Sequence, residues 1–386
     1  VRVRPLVAAI PAAVLSLAVG AVPGHATPTT SSYVVVLRDG ASATPAAAAA
    51  FAASLGGTVT HVYQHALHGY SANLTPTAVE MVRHSSDVAS VERDGVMHAV
   101  GTIVNPQSWG IDRIDQRNLP LSASYTSTNT GSGVKAYIID TGIRFTHTQF
   151  GGRAVTGIDE VTAGGTAADC NGHGTHVAGT VGGSTIGVAH SVTLVAVRVL
   201  DCSGSGATSG VIAGVDWVTG NHLAGQPAVA NMSLGGSAYA PLDTAVTNAI
   251  NDGVTFAVAA GNGNASGVRQ NACNYSPARV AAAITTGATS NTDAAASFSN
   301  YGTCVDLLAP GVQILSSWYT SDTAGAYLDG TSMATPHVAG VAALYLQSNP
   351  GASPATVRNA LVANATSGVI TNVGTGTPNL LLFTNY

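Results

Sequence analysis

Three short segments each set one reactive side chain among small residues. They are Ile138-Ile139-Asp140-Thr141-Gly142, His173-Gly174-Thr175-His176-Val177-Ala178-Gly179 and Gly330-Thr331-Ser332-Met333-Ala334-Thr335-Pro336. A serine hydroxyl is a weak nucleophile until a base takes its proton, and that base must be held in one tautomer by a third group. Ser332, His173 and Asp140 are the residue types for those three parts. Each has a plainer reading alone: Asp140 as a strand-end turn cap, Ser332 as a helix N-cap, and His173 with His176 as a pair of metal ligands. The metal reading lacks the Glu of a His-Glu-x-x-His pattern and has its histidines at i, i+3. An apolar helical stretch follows Ser332, so the positive end of a helix dipole and unpaired N–H groups would face an oxyanion there.

The elements that must position these residues are legible as apolar runs. Residues 134–140, 193–199, 229–233, 255–260, 283–288 and 305–309 are Val-, Ile- and Ala-rich and read as buried strands. Residues 173–182, 208–223, 241–252 and 332–348 read as helices between them. This alternation predicts an α/β fold, a doubly wound parallel sheet flanked by helices. Ligands of such sheets bind beyond the carboxyl ends of the strands, where Asp140 ends one strand and Asn262 follows another. An N-terminal unit reads separately. Strands at 33–37, 59–63, 70–74 and 88–93 alternate with helices at 45–55 and 75–84, the second with a Thr77-to-Glu80 capping-box spacing. A further short strand covers 96–99. The order suggests a small α+β, ferredoxin-like domain.

Charged residues make up only 9 % of the 386-residue chain, the net charge is −5, and hydrophobic residues reach 46 %. That balance excludes a disordered chain and offers no basic patch for nucleic acid. Arg2 and Arg4, an apolar run over 6–22 and Gly24-His25-Ala26 read as a secretory signal peptide over 1–26, so no membrane association is expected after its removal. Four cysteines suit an oxidising, extracellular compartment and allow three pairings.

The three segments resemble the catalytic signatures of the subtilisin-like serine proteases, and most of all the secreted proteinase K and aqualysin group. The resemblance covers about residues 105–386, and residues 32–99 resemble the family's inhibitor propeptide. It implies a secreted serine endopeptidase made as a self-processing zymogen, with the propeptide over 27–99 and the peptidase domain over 100–386. Val96 to Ala99 would lie in the cleft like a product, with processing near Ala99, within 97–105. Ser332 would be the nucleophile, His173 the base, Asp140 its orienting group and Asn262 a side-chain oxyanion donor, leaving His176 structural. Gly204, Ser205 and Gly206 on one side, and Ser233, Leu234, Gly235 and Gly236 on the other, would sandwich an extended substrate. Ala259, Ala260 and Gly261 would complete an uncharged primary pocket suited to apolar or aromatic side chains.

Further expectations rest on the same resemblance. The disulfides would be Cys170–Cys202 and Cys273–Cys304. Structural Ca²⁺ would bind at Asp306 with the carbonyls of Ala281 and Ala283. A second site at Asp112, Asp115 and Gln116 meets Ser122 and Ser124 where relatives carry acidic or amide groups. Ser276–Pro277 would be cis. The expected partners are protein and peptide substrates and the chain's own propeptide, and the chain is expected to be a monomer. Two other classes stay open: a pseudoprotease that binds peptides, and a secreted esterase. An esterase would usually show Gly-x-Ser-x-Gly with Ser ahead of Asp and His.

Overall fold

The computed structural model describes residues 29–99, 102–103 and 108–386. The expected signal peptide, and residues 100, 101, 104 and 105 of the expected processing window, lie outside them.

The N-terminal unit comprises β1 (Ser31–Leu37), α1 (Pro45–Ser54), β2 (Thr58–Tyr63), β3 (Gly69–Leu74), α2 (Pro76–Arg83) and β4 (Val88–Arg93). Its strands pair antiparallel in the order β2-β3-β1-β4, the ferredoxin-like arrangement. Val35, Tyr70, Ala72 and Leu74 of the sheet pack against Ala49, Ala52, Val79 and Val82 of the helices. Thr44 caps α1 by accepting from Ala47 N. One expectation is corrected: α2 is capped by Thr75, which accepts from Ala78 N at 3.2 Å, and not by a Thr77–Glu80 box. Pro76 occupies the first turn, where its missing N–H costs nothing, and this places the cap one residue before it.

The chain continues through β5 (Val96–Ala99), β6 (Thr102–Ile103), α3 (Gly110–Ile114), β7 (Lys135–Asp140), β8 (Ala154–Asp159), α4 (His173–Gly182), β9 (Thr193–Arg198), β10 (Ser205–Ala207) and α5 (Thr208–Asn221). Next come β11 (Ala228–Met232), β12 (Leu234–Ser237), α6 (Ala240–Asp252), β13 (Thr255–Ala259), β14 (Tyr275–Ser276), β15 (Ile284–Thr289) and β16 (Leu307–Pro310). The last are β17 (Ile314–Ser317), β18 (Gly325–Asp329), α7 (Thr331–Ser348), α8 (Pro354–Asn364), β19 (Thr366–Ser367) and β20 (Leu380–Leu381). The main sheet runs β19-β20-β16-β15-β13-β11-β7-β9-β8 and is parallel except for β19–β20. Ile138 faces a core built with α4, α7 and α8, while Tyr137 and Ile139 face one built with α5 and α6. That two-residue alternation explains why the strands are apolar on both faces.

After β7 the chain crosses to the sheet edge at β8 and returns at β9, between β7 and β8; from β11 it winds the other way through β13, β15 and β16. The order therefore reverses between β7 and β11, whose carboxyl ends carry Asp140 and Ser233. A crevice opens at such a reversal. Cys170–Cys202 joins the loop before α4 to the turn after β9, and Cys273–Cys304 joins the approaches to β14 and β16. Ser276–Pro277 is cis, and so is Leu119–Pro120, which has no sequence signal. Among the described residues no helix is long and apolar enough to cross a membrane.

Candidate active site

Asp140 closes β7 and His173 opens α4. His173 Nδ1 lies 2.8 and 2.9 Å from the two carboxylate oxygens of Asp140, and both side chains are buried. Asp140 Oδ1 also accepts from Thr141 N at 2.7 Å. The start of α4 is pressed onto the turn after β7: a Cβ on Gly174 would stand 2.2 Å from Gly142 O, so only glycine permits the approach. Asp169 secures the entry by accepting from Asn171 N and Gly172 N, each at 2.9 Å. His176 points away from this pair. Its Nε2 meets Ile314 O at 2.9 Å, and burial pushes its pKa down to about 3, so it stays neutral.

Ser332 is the second residue of α7, among N–H groups that have no partner within a helix. Its Oγ donates to Ser233 O at 3.1 Å, and Ser233 Oγ donates back to Ser332 O at 2.8 Å. Asn231 Nδ2 donates to Ser233 Oγ at 2.9 Å and fixes that hydroxyl's direction. Asn262 stands beyond β13. Its Oδ1 accepts from both Thr331 N and Thr331 Oγ1 at 2.8 Å, so the amide oxygen is committed and the NH₂ end is turned away from Thr331.

A smaller sheet runs β10-β5-β12-β14, with Val96–Ala99 as its second strand. Ser205 pairs with His98 and Gly206 with Met97 on one side; Leu234 pairs with Ala99 and Gly235 with His98 on the other. The two glycine-rich segments thus hold an extended stretch of this chain between them. A Cβ on Gly206 would lie 2.2 Å from Val199 O, which explains the small residue there. Beyond the cleft, Thr102 and Ile103 pair with Asp329 and Leu328 of β18, the strand leading to Ser332. A cavity of about 290 Å³ opens beside β12, walled by 234–237 and 259–263 and carrying no charged side chain. Tyr275 and Ala278 also line it, brought in by the bridge at Cys273 and by β14; their sequence context carried no pocket signal.

The N-terminal unit is seated on α5 and α6. Tyr63, Ala66 and Leu67 join the core of that face. Asp216 of α5 accepts from the backbone N–H groups of Gln64, His65 and Ala66 at 3.1, 2.7 and 2.8 Å. Asp94 caps α5 by accepting from Ser209 N at 2.7 Å.

The two expected calcium sites differ in donor chemistry. Asp306 Oδ2 accepts from Thr285 N at 2.8 Å, and its Oδ1 is ion-paired with the Arg358 guanidinium of α8. A cation already stands at that carboxylate, so this set, including Ala281 and Ala283, does not fit the metal. Asp112 accepts from Ser122 Oγ at 2.9 Å and from Ala123 N at 2.8 Å, and Gln116 Oε1 accepts from Ser122 N at 2.9 Å. Asp115 Oδ1 is buried without a partner. Burial, and then the charge of Asp112, hold the Asp115 carboxyl above its usual range. Clustered oxygen donors with one orphaned carboxylate oxygen fit a hard cation. Among the described residues no cluster of three or more His, Cys, Asp or Glu is poised for a metal.

Fold and site define a serine endopeptidase of subtilisin type. Residues 131–380 match the subtilase family and residues 32–99 the peptidase inhibitor I9 family, and the chain belongs to the subtilases. It is 57 % identical over 331 residues to an extracellular serine proteinase of Thermus sp. (strain Rt41A), covering 86 % of this chain and 79 % of that protein. It is 53 % identical over 333 residues to alkaline serine exoprotease A of Vibrio alginolyticus, covering 84 % of this chain and 60 % of that protein. The solved structure of a cold adapted subtilisin-like serine proteinase shares 55 % identity and superposes with a TM-score of 0.67, covering 71 % of this chain and 97 % of that one.

Proposed function

We propose that this extracellular serine proteinase is a self-processing zymogen with an Asp140/His173/Ser332 triad. His173 takes the Ser332 proton as Oγ attacks the scissile carbonyl, and Asp140 holds the imidazole in the required tautomer and stabilises its charged form. The Asn262 amide and the Ser332 N–H receive the oxyanion. His173 then protonates the leaving amine, and water repeats the steps on the acyl-enzyme. The observation that carries this reading is the strand Val96–Ala99, docked between β10 and β12 and ending beside Ser233, whose carbonyl touches Ser332 Oγ.

The N-terminal unit, residues 27–99 after signal removal, is the cleft's first substrate and then its inhibitor. The uncharged cavity beside β12 favours apolar or aromatic side chains before the cut over Lys or Arg. Calcium at Asp112, Asp115 and Gln116 would supply rigidity by tying α3 to the segment 122–126, and takes no part in the chemistry. The Asp140–His173 pair, Ser332 at the head of α7 and the Asn262 anchorage speak against a pseudoprotease, and the Asp, His, Ser order against an esterase. Labelling with a fluorophosphonate tests the assignment. The label is expected on the peptide that contains Ser332, together with hydrolysis of a peptidyl anilide. A label elsewhere, or turnover of esters without amides, refutes it.

A further inference from the structure

Asn300 lies in the loop between β15 and β16, remote in sequence from the reacting groups, and is 2 % exposed. All of its side-chain hydrogen bonds go to the backbone of the loop that carries Asn262. Its Oδ1 accepts from Gly263 N at 3.0 Å and from Gln270 N at 2.8 Å, and its Nδ2 donates to Ala260 O at 2.9 Å. Its own backbone N donates to Gly261 O at 2.9 Å. These four bonds bracket Asn262 on both sides. β13 ends at Ala259; past it Ala260 N donates to Thr286 O of β15 at 3.0 Å and Gly261 N to Thr331 Oγ1 at 3.1 Å, and on the far side of Asn262 the backbone is held through Asn300. The loop is wrapped tightly on the amide: Gly261 has φ +97, and a Cβ there would stand 2.5 Å from Asn300 Nδ2.

We propose that Asn300 is a positioning residue for the oxyanion donor, holding the backbone of Asn262 while Thr331 holds its side-chain oxygen. The proposal rests on the oxyanion role of Asn262 argued above. An oxyanion donor lowers the barrier only if it already points to where charge develops, and a displacement of about 1 Å is costly. A buried amide suits the task because it accepts from two N–H groups and donates to a carbonyl at once. Alanine removes all three bonds. Aspartate keeps both acceptor bonds but sets an oxygen against Ala260 O.

The test is a double-variant cycle on mature enzyme, with concentrations fixed by active-site titration and peptidyl anilide as substrate. Asn262→Ala is expected to lower kcat by about 10²–10³, the loss measured for the side-chain donor of subtilisin, itself a member of this family. Asn300→Ala is expected to lower kcat about tenfold with KM changed by less than about threefold, because the contact is made to the transition state. The double variant is expected within about twofold of Asn262→Ala alone, because Asn300 acts through Asn262. Asn300→Asp is the second variant should alanine fail to mature, with an expected kcat loss of several-fold. A full-speed Asn300→Ala, losses that multiply in the double variant, or failure of both Asn300 variants to fold and mature would each overturn the proposal. If Asn262→Ala itself keeps full kcat, the oxyanion reading falls, and this inference falls with it.

Discussion

Pro336 stands four residues after Ser332, inside α7. Proline has no N–H, so the Ser332 carbonyl loses its helical donor. Ser233 Oγ supplies a donor in its place at 2.8 Å and ties the Ser332 backbone to the head of β12. This coupling explains the proline in a helix that must otherwise be regular. The Arg358 guanidinium neutralises Asp306, and Arg358→Ala would leave that largely buried carboxylate without its counter-charge. We expect Arg358→Ala to lower the thermal midpoint in EDTA, and millimolar calcium to restore part of the loss. The parent chain should show no calcium response that Asp306→Asn removes; a response removed by Asp306→Asn would mean that the metal, not the arginine, belongs there.

Among elements, α4 and α7 carry His173 and Ser332 and also bury two further histidines, His176 and His337. Burial holds His176 at about 3 and His337 at about 4, both below the ordinary value of about 6.5. Between about pH 6.5 and 4 the unfolded chain binds protons that the folded chain refuses. Stability is therefore full above that window and falls as pH falls through it, by up to about 1.4 kcal/mol per pH unit for each histidine. Thermal midpoints of the Ser332→Ala chain between pH 8 and 4 should show this decline, and His337→Gln should flatten it; an unchanged slope would contradict the assignment. The main strands and helices, and the contexts of Asp140, His173 and Ser332, were legible because each is a local pattern. Asn300 and Arg358 were not, since their partners lie tens of residues away and no local spacing records such a pairing. The β17–β18 hairpin is too short for a periodic signal. By contrast α8 announces itself with Ser353 accepting from Thr356 N and with Pro354 in the first turn, a start signal that its weak apolar pattern obscured.

In the whole molecule, the N-terminal unit has its own core yet also completes the core over α5 and α6. Asp216 carries three of the backbone contacts that hold it. Hydrogen bonds to a charged group contribute about 1.5–3 kcal/mol, so Asp216→Ala should weaken inhibition of mature enzyme by the released unit about tenfold to hundredfold. Unchanged inhibition would place the binding energy in the apolar contacts of Tyr63, Ala66 and Leu67 and in the docked strand. Self-cleavage at the docked strand is the central claim, and intact mass spectrometry of the chain expressed from Thr27, with and without Ser332→Ala, tests it most directly. The parent chain should divide near Ala99 into the N-terminal unit and a peptidase retaining both disulfides, while Ser332→Ala stays whole. A Ser332→Ala chain that divides at the same bond, or a folded parent that never divides, would contradict it.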